Sequence, residues 1–204
     1  MRALIEQRLA ARAVGDDPDA PVLANVVGEV SEQLREVLAQ SRHRAAVLLG
    51  LIERAGGLNV LLTERAKHLA HHPGQVSFPG GRLEASDCGP IDAALREAWE
   101  EVGLAPEVVN VVGCLDPHAT GTGFNVTPVV GFVPGTFVAR ADPTEVDSVF
   151  EVPLDFILDG ANAKVSYGDR FGSRFRIYEF DYEGYRIWGA TAAMLMTFRD
   201  IITR

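Results

Sequence analysis

The chain has 204 residues, 47% of them hydrophobic and 23% charged, enough for one globular domain with a substantial core. Its net charge of −9 excludes a nucleic-acid binder driven by a basic surface and leaves any anionic ligand to a metal or a local basic pocket. The two cysteines, Cys88 and Cys114, are too few for a disulfide framework and belong to no metal-ligand cluster.

No apolar run reaches the roughly 18 residues that span a bilayer. The N-terminal MRALIEQRLAARAVGDDPDAP carries charges throughout and lacks the apolar stretch of a secretory signal. The expectation is a cytoplasmic protein that engages neither membrane nor nucleic acid, with a homodimer allowed. Residues 2–14 predict a helix broken by the turn-rich GDDPDAP, and SEQLREVLAQS predicts a second, with Leu34, Val37 and Leu38 on one face. AAVLLGLIE (45–53) and NVLLTER (59–65) predict consecutive strands joined across RAGGL. Residues 66–89, containing HHPGQVSFPGG, form a long irregular connection, which in a compact domain points to function.

A helix follows, with Pro90 in its first turn, Gly103 just past its end, and Ile91, Ala94, Leu95, Ala98 and Val102 on its core face. Further strands are expected in VVNVVGCL, FNVTPVVGFV, GTFVAR and FRIYEFDYEGYRIWG, with short helices around 153–158 and at TAAMLMTFRDII. This alternation predicts an α/β or α+β layered fold with a mixed sheet.

The central helix ends as ALREAWEEVGL, residues 94–104, with Glu97, Glu100 and Glu101 at i, i+3 and i+4. Like charges so spaced repel by about 0.2–0.5 kcal/mol per pair, and the negative end of the helix dipole adds to the conflict. A solvated acidic face is one explanation, although Lys or Gln would serve it better. The glycine-rich FPGGRLEASDCGP just upstream and the adjacent Arg96 favour a cation site instead. Mg2+ takes carboxylate oxygens, waters and substrate phosphates, and it acidifies a bound water.

Residues 80–104, GGRLEASDCGPIDAALREAWEEVGL, resemble the Nudix box, G-x5-E-x7-R-E-U-x-E-E-x-G-U with U aliphatic. The second half matches at Arg96, Glu97, Ala98, Glu100, Glu101, Gly103 and Leu104. In the first half the acid falls on Asp87, and eight residues instead of seven separate it from Arg96. Asp87 and Glu84 are thus both candidate partners of that arginine. The longer first half is similar to that of the coenzyme A pyrophosphatase subgroup, whose upstream signature resembles L-L-T-x-R-[SA]-x3-R-x3-G-x3-F-P-G-G. Here Leu61, Leu62, Thr63, Arg65, Ala66, Gly74, Phe78, Pro79, Gly80 and Gly81 match it. Ala70 replaces the second arginine, which would shift phosphate contacts onto Arg65, Lys67, His68 or Arg82. GFNVTPVVGFV (123–133), EVDSVFEVPLDFIL (145–158) and IWGATAAML (187–195) resemble the same subgroup.

The resemblance implies the Nudix α/β/α sandwich with a mixed β-sheet over residues 44–204, preceded by an N-terminal helical extension, residues 1–43. It implies a Mg2+- or Mn2+-dependent hydrolase that cleaves the diphosphate of a coenzyme A-like nucleotide to 3′,5′-ADP and 4′-phosphopantetheine or its acyl derivative. The alternatives are another nucleoside diphosphate derivative, such as ADP-ribose or NADH, or a non-catalytic Nudix ligand-sensing module. Glu97, Glu100 and Glu101 are the implied metal ligands, completed by the Gly81 carbonyl unless that glycine serves backbone conformation alone. Glu100 is the candidate general base and Arg96 orients a ligand carboxylate. Glu145 is a second candidate for either role, its other explanation being a helix N-terminal carboxylate. Arg65, His72, Gln75 and Arg82 are the candidate substrate-binding residues. His118, in LDPHATGTGFN, is a candidate polar loop group, while Trp188 and Phe198 are expected in the core.

Overall fold

The computed structural model describes residues 1–11, 25–40, 43–120 and 123–204. Helix α1 (Arg2–Ala10), strand β1 (Val26–Val27) and helix α2 (Glu32–Gln40) lead into β2 (His43–Arg54) and β3 (Gly57–Arg65). The short β4 (Val76–Ser77) and β5 (Gly80–Arg82) precede helix α3 (Pro90–Val102), and β6 (Asn110–Cys114), β7 (His118–Ala119) and β8 (Phe124–Val133) follow it. Then come β9 (Val146–Pro153), α4 (Leu154–Leu158), β10 (Lys164–Arg170), β11 (Ser173–Tyr182), β12 (Tyr185–Trp188) and α5 (Gly189–Thr203). The end of the expected first helix, residues 12–14, and the GDDPDAP turn lie outside the described residues.

β2 organises the main sheet. It runs antiparallel to β3, with Leu51 opposite Val60, and parallel to β8, with Leu48 opposite Val129, so the sheet is mixed. The strand order is β4-β3-β2-β8-β6, with β9 on β3, β5 on β2 and β7 on β8. Successive side chains of a strand alternate between faces. Ala46, Leu48 and Ile52 accordingly pack with Ala94, Ala98 and Val102 of α3. Ala45, Leu49 and Leu51 join a second cluster with Phe180 of β11, Leu195 and Phe198 of α5, and Ile5 and Leu9 of α1. Burial on both faces explains why AAVLLGLI reads as an unbroken apolar run rather than an alternating one. The result is the mixed α/β layered fold the sequence predicts, with α3 on one face of the sheet and α1, α4 and α5 on the other. A smaller antiparallel sheet, β1-β11-β10 with β12 on β11, stands beside it.

Several local expectations are corrected. GTFVAR is not a strand: the Arg54 guanidinium takes the Gly135 and Phe137 carbonyls, and Arg140 N–H bonds the Val102 carbonyl at 2.9 Å, so no neighbouring strand pairs with it. The irregular 66–89 segment contains β4 and β5, too short to show a period. β10 has an almost wholly exposed pattern and no apolar alternation to reveal it. On α3, Ala93 is buried, whereas Ile91 remains 40% exposed.

Candidate active site

Arg96 is the hub of the site. Its Nε and Nη2 donate to the two carboxylate oxygens of Asp87, each at 3.1 Å, and Nη2 also donates to the Arg82 carbonyl at 3.0 Å. Its Nη1 donates to Glu97 Oε1 and Glu100 Oε2, both at 3.0 Å. All five N–H groups of the guanidinium are thereby used. The additional residue of the first half is absorbed between Glu84 and Pro90, where Asp87 Oδ2 accepts the Glu84 N–H at 2.7 Å and Asp92 accepts the Cys88 N–H at 3.1 Å. Asp87, not Glu84, is therefore the partner of Arg96. The Arg96 hydrogen bonds hold the Asp87 carboxyl below the usual carboxylate range.

Glu97 and Glu101 converge on the Gly80–Gly81 turn of β5. Glu101 is 3% exposed; its Oε2 accepts the Gly80 N–H at 3.3 Å, and Arg65 Nη1 stands 3.9 Å from its Oε1. Burial, reinforced by the Glu97 charge, pushes the Glu101 carboxyl up to about 8. Burial likewise raises Glu97, although Arg96 opposes it. Backbone pairing sets this turn, with Gly81 opposite Ala46 and Gly80 opposite Val47. Gly80 adopts a φ of +155°, and a Cβ there would strike the Ala46 carbonyl and Val47. A Cβ on Gly81 would strike the Glu97 carboxylate. Glu100 differs: its side chain is 52% exposed and rests on Arg96.

Among the described residues, no three Asp, Glu, His or Cys groups form a ready-made cation cage. The donor set nonetheless fits a hard divalent cation. Glu101 is buried with one weak cationic contact, the half-buried Glu97 beside it is bonded to Arg96, and both are pushed toward protonation. Glu97, Glu101 and the Gly80–Gly81 backbone would hold such an ion; Glu100 would reach it by exchanging its Arg96 contact.

Glu145 ends a loop wrapped around the end of α3. The Asp142 N–H bonds the Glu101 carbonyl at 2.9 Å, and the Glu145 carbonyl accepts the Ala66 N–H at 2.8 Å. The carboxylate is exposed and its charge acts on both Glu97 and Glu101. A strand rather than a helix follows it, so a helix N-terminal role is ruled out.

A cleft of about 530 Å3 opens beside this turn, and Arg65, His72, Gln75, Gly81, Arg82 and His118 all line it. His72 holds a left-handed φ of 57° and its Nδ1 bonds Gln75 Oε1 at 2.8 Å. Arg82 lies over the Phe124 ring, 4.9 Å from its centre. Lys67 and His68 do not line the cleft. The His68 ring instead bonds the Thr144 carbonyl at 3.1 Å.

His118 is not a loop group. It lies in β7, buried, and Thr197 Oγ1 accepts from its Nε2 at 3.1 Å while donating to the Ala193 carbonyl. Burial pulls its pKa down to about 4, so it is neutral. Phe198 is in the core as expected, but Trp188 is 38% exposed and lines the cleft. Asn25, Thr120 and Arg170 also line it and carry no motif that would single them out.

The sequence profile of the NUDIX domain matches residues 41–165. The chain belongs to the Nudix hydrolase family. It is 44% identical over 161 residues to the uncharacterized Nudix hydrolase NudL of Enterobacter sp. (strain 638), covering 79% of this chain and 82% of that one. The uncharacterized NudL of Salmonella paratyphi B is 44% identical over 155 residues, 76% of this chain and 80% of its own length. Among solved structures, DR0079 from Deinococcus radiodurans superposes with a TM-score of 0.50 at 13% identity, over 76% of this chain and 82% of that one, a likeness of fold. This Nudix hydrolase is accordingly an enzyme of the class that hydrolyses phosphoric anhydrides in nucleotide derivatives. No helix among the described residues is long and apolar enough to cross a membrane.

Proposed function

We propose that this Nudix hydrolase cleaves the diphosphate of coenzyme A or its thioesters, using Mg2+ or Mn2+. The observation that carries this reading is the joining of the upstream signature to the acidic turn. Arg65, Phe78, Gly80 and Gly81, all fixed positions of that signature, line one cleft together with Gln75 and Arg82. Ala70 is exposed and lies outside that lining, so the missing arginine removes no group from the cleft as built.

A bound divalent ion supplies positive charge on the phosphate oxygens and lowers the pKa of an attacking water. The chain's own groups do the rest. Arg65 and Arg82 attract and orient the diphosphate, and the His72–Gln75 pair fixes the edge of the loop that borders it. Glu97 and Glu101 hold charge in a buried setting where electrostatic stabilisation is strong. Glu100, exposed to solvent and able to leave its Arg96 contact, accepts the proton as the water oxygen attacks phosphorus and the anhydride P–O bond breaks. Glu145 is the second group within electrostatic reach of the same turn. The products are 3′,5′-ADP and 4′-phosphopantetheine or its acyl derivative, and a positioned in-line geometry accounts for most of the rate.

Parallel assays with coenzyme A, ADP-ribose, NADH and dinucleoside polyphosphates in Mg2+ test this substrate. The expected result is the highest kcat/KM for coenzyme A or a thioester. Good turnover of another compound with none of coenzyme A would sink it. Full activity of Glu101→Gln would remove the metal-site reading, and absence of all turnover would favour a ligand-sensing module.

A further inference from the structure

A second cavity, of about 340 Å3, continues from the catalytic cleft. The two share Asn25, Ala119, Thr120, Arg170 and Gly189, so the mouth of one opens on the other. Its walls are mainly apolar. Leu34, Val37 and Leu38 of α2 form one side, and Phe171, Phe175 and Ile177 of the β10–β11 hairpin form the other. Leu34, Val37 and Leu38 fall at i, i+3 and i+4, the one apolar stripe of this helix.

α2 is held at this spacing by specific bonds. The Ser31 hydroxyl donates to the Phe171 carbonyl at 2.5 Å and accepts the Leu34 N–H at 3.0 Å, capping the helix. The Ser173 hydroxyl accepts the Ser31 N–H at 2.9 Å, and the Asn25 carbonyl accepts the Arg176 N–H at 2.7 Å. The N-terminal segment and the hairpin are thus tied at their rims while their apolar faces stay apart around the cavity.

We infer that this chamber receives the apolar acyl tail of a coenzyme A thioester, making the enzyme selective for acylated over free coenzyme A. The inference rests on the coenzyme A reading above and adds to it a subsite and a substrate form. The volume suits a chain or small ligand fragment, at the lower end of the roughly 300–1,000 Å3 range of ligand pockets. A nucleobase would require convergent donors and acceptors, whereas here Asn25, Thr120 and Arg170 stand at the shared mouth, Asp169 and Arg176 are the other charged groups of the lining, and most of the wall is hydrocarbon. The acyl group is carried on the thiol at the far end of the pantetheine arm, so with the diphosphate beside the acidic turn the arm would run along the cleft and deliver the tail to the chamber through that mouth.

Isothermal titration in EDTA, with free, acetyl-, hexanoyl- and decanoyl-coenzyme A, isolates binding from turnover. Affinity should rise by up to about fourfold per methylene until the chamber is filled. Decanoyl-coenzyme A should bind at least about tenfold tighter than free coenzyme A. Leu38→Trp should pull that ratio toward one, and Ile177→Trp, from the opposite wall, gives the same reading should the first variant not fold. Equal affinity for free coenzyme A and all thioesters, or a ratio that both variants leave intact, overturns the chamber while the coenzyme A reading stands. No binding of any member of the series overturns both.

Discussion

Asp87 and Arg96 meet in a two-armed ion pair, Nε to Oδ1 and Nη2 to Oδ2 at 3.1 Å each, across a spacing one residue longer than the Nudix box. Such paired, charge-assisted bonds fix orientation as well as distance. The arginine so fixed presents its remaining N–H groups to Glu97, Glu100 and the Arg82 carbonyl. One interaction therefore locks the loop before α3 to the two carboxylates that follow it.

Replacing Asp87 should release this lock. Asp87→Asn leaves a shape that fits but removes the charge, and it should destabilise the fold by about 1–3 kcal/mol. Activity should fall as well, because Arg96 would be free to draw Glu97 and Glu100 away. Glu84→Gln should change neither, since Glu84 contributes its backbone N–H to this network. Urea unfolding midpoints and kcat/KM of the two variants check this; equal losses in both would show that the loop, not the ion pair, matters.

Gly81→Ala tests the close approach of β5 to α3. The added methyl would occupy the space of the Glu97 carboxylate, which must then rotate away from the turn. The expected outcome is at least about a tenfold loss of kcat/KM, in the range that a small displacement of catalytic groups produces. The overall fold should persist, because β2 and β5 keep their backbone pairing. Circular dichroism and kinetics in parallel separate the two effects.

The central helix was legible in its ends, because Pro90 and the left-handed Gly103 are local signals, and in most of its face, although packing placed Ala93 rather than Ile91 in the core. So was the hydrophobic β2–β3 pair. His118 and Trp188 were not, because the fates of a histidine and a tryptophan depend on long-range packing. Whether His118 is buried is decided by α5, 79 residues away at Thr197, and no local pattern reports that contact. GTFVAR failed for a related reason: its composition suits a strand, but Arg54 takes carbonyls that a neighbouring strand would have used. Asn25 and Arg170 reach the cleft from segments outside the Nudix signatures, joined only by β1–β11 and β10–β11 pairing.

His118 should make the protein acid-sensitive. Its folded pKa, about 4, lies below the 6.5 of an unhindered imidazole, so the unfolded chain binds the proton more readily. Stability from the neutral buried ring is complete above about pH 6.5 and is lost as pH falls toward 4. Each pH unit in that window is worth at most about 1.4 kcal/mol, or a few degrees of Tm. His118→Gln, which can keep a bond to Thr197, should therefore lose little at pH 8 and gain on the natural protein as pH falls from 6.5 to 4. A Tm difference that stays constant with pH would refute this.

Glu101 should act in the opposite direction. Its folded pKa of about 8 exceeds the 4.5 of a free glutamate, so the folded metal-free protein holds a proton that the unfolded chain releases. That contribution is present below about pH 4.5 and is lost as pH rises toward 8. In EDTA, Glu101→Gln should match the natural protein near pH 4.5 and exceed its Tm progressively up to pH 8. Mg2+ should reverse the order at pH 8, raising the Tm of the natural protein by mass action while leaving the variant unchanged. The same variant should lose Mg2+-dependent turnover, since a neutral amide gives a hard cation little reason to bind. Cation binding by the natural protein must displace the Glu101 proton, so its affinity should fall as pH drops below 8, with proton release measurable by calorimetry in buffers of different ionisation enthalpy. An EDTA melting curve for Glu101→Gln that runs parallel to the natural protein across pH 4.5 to 8 would show that the carboxylates are already compensated without a cation.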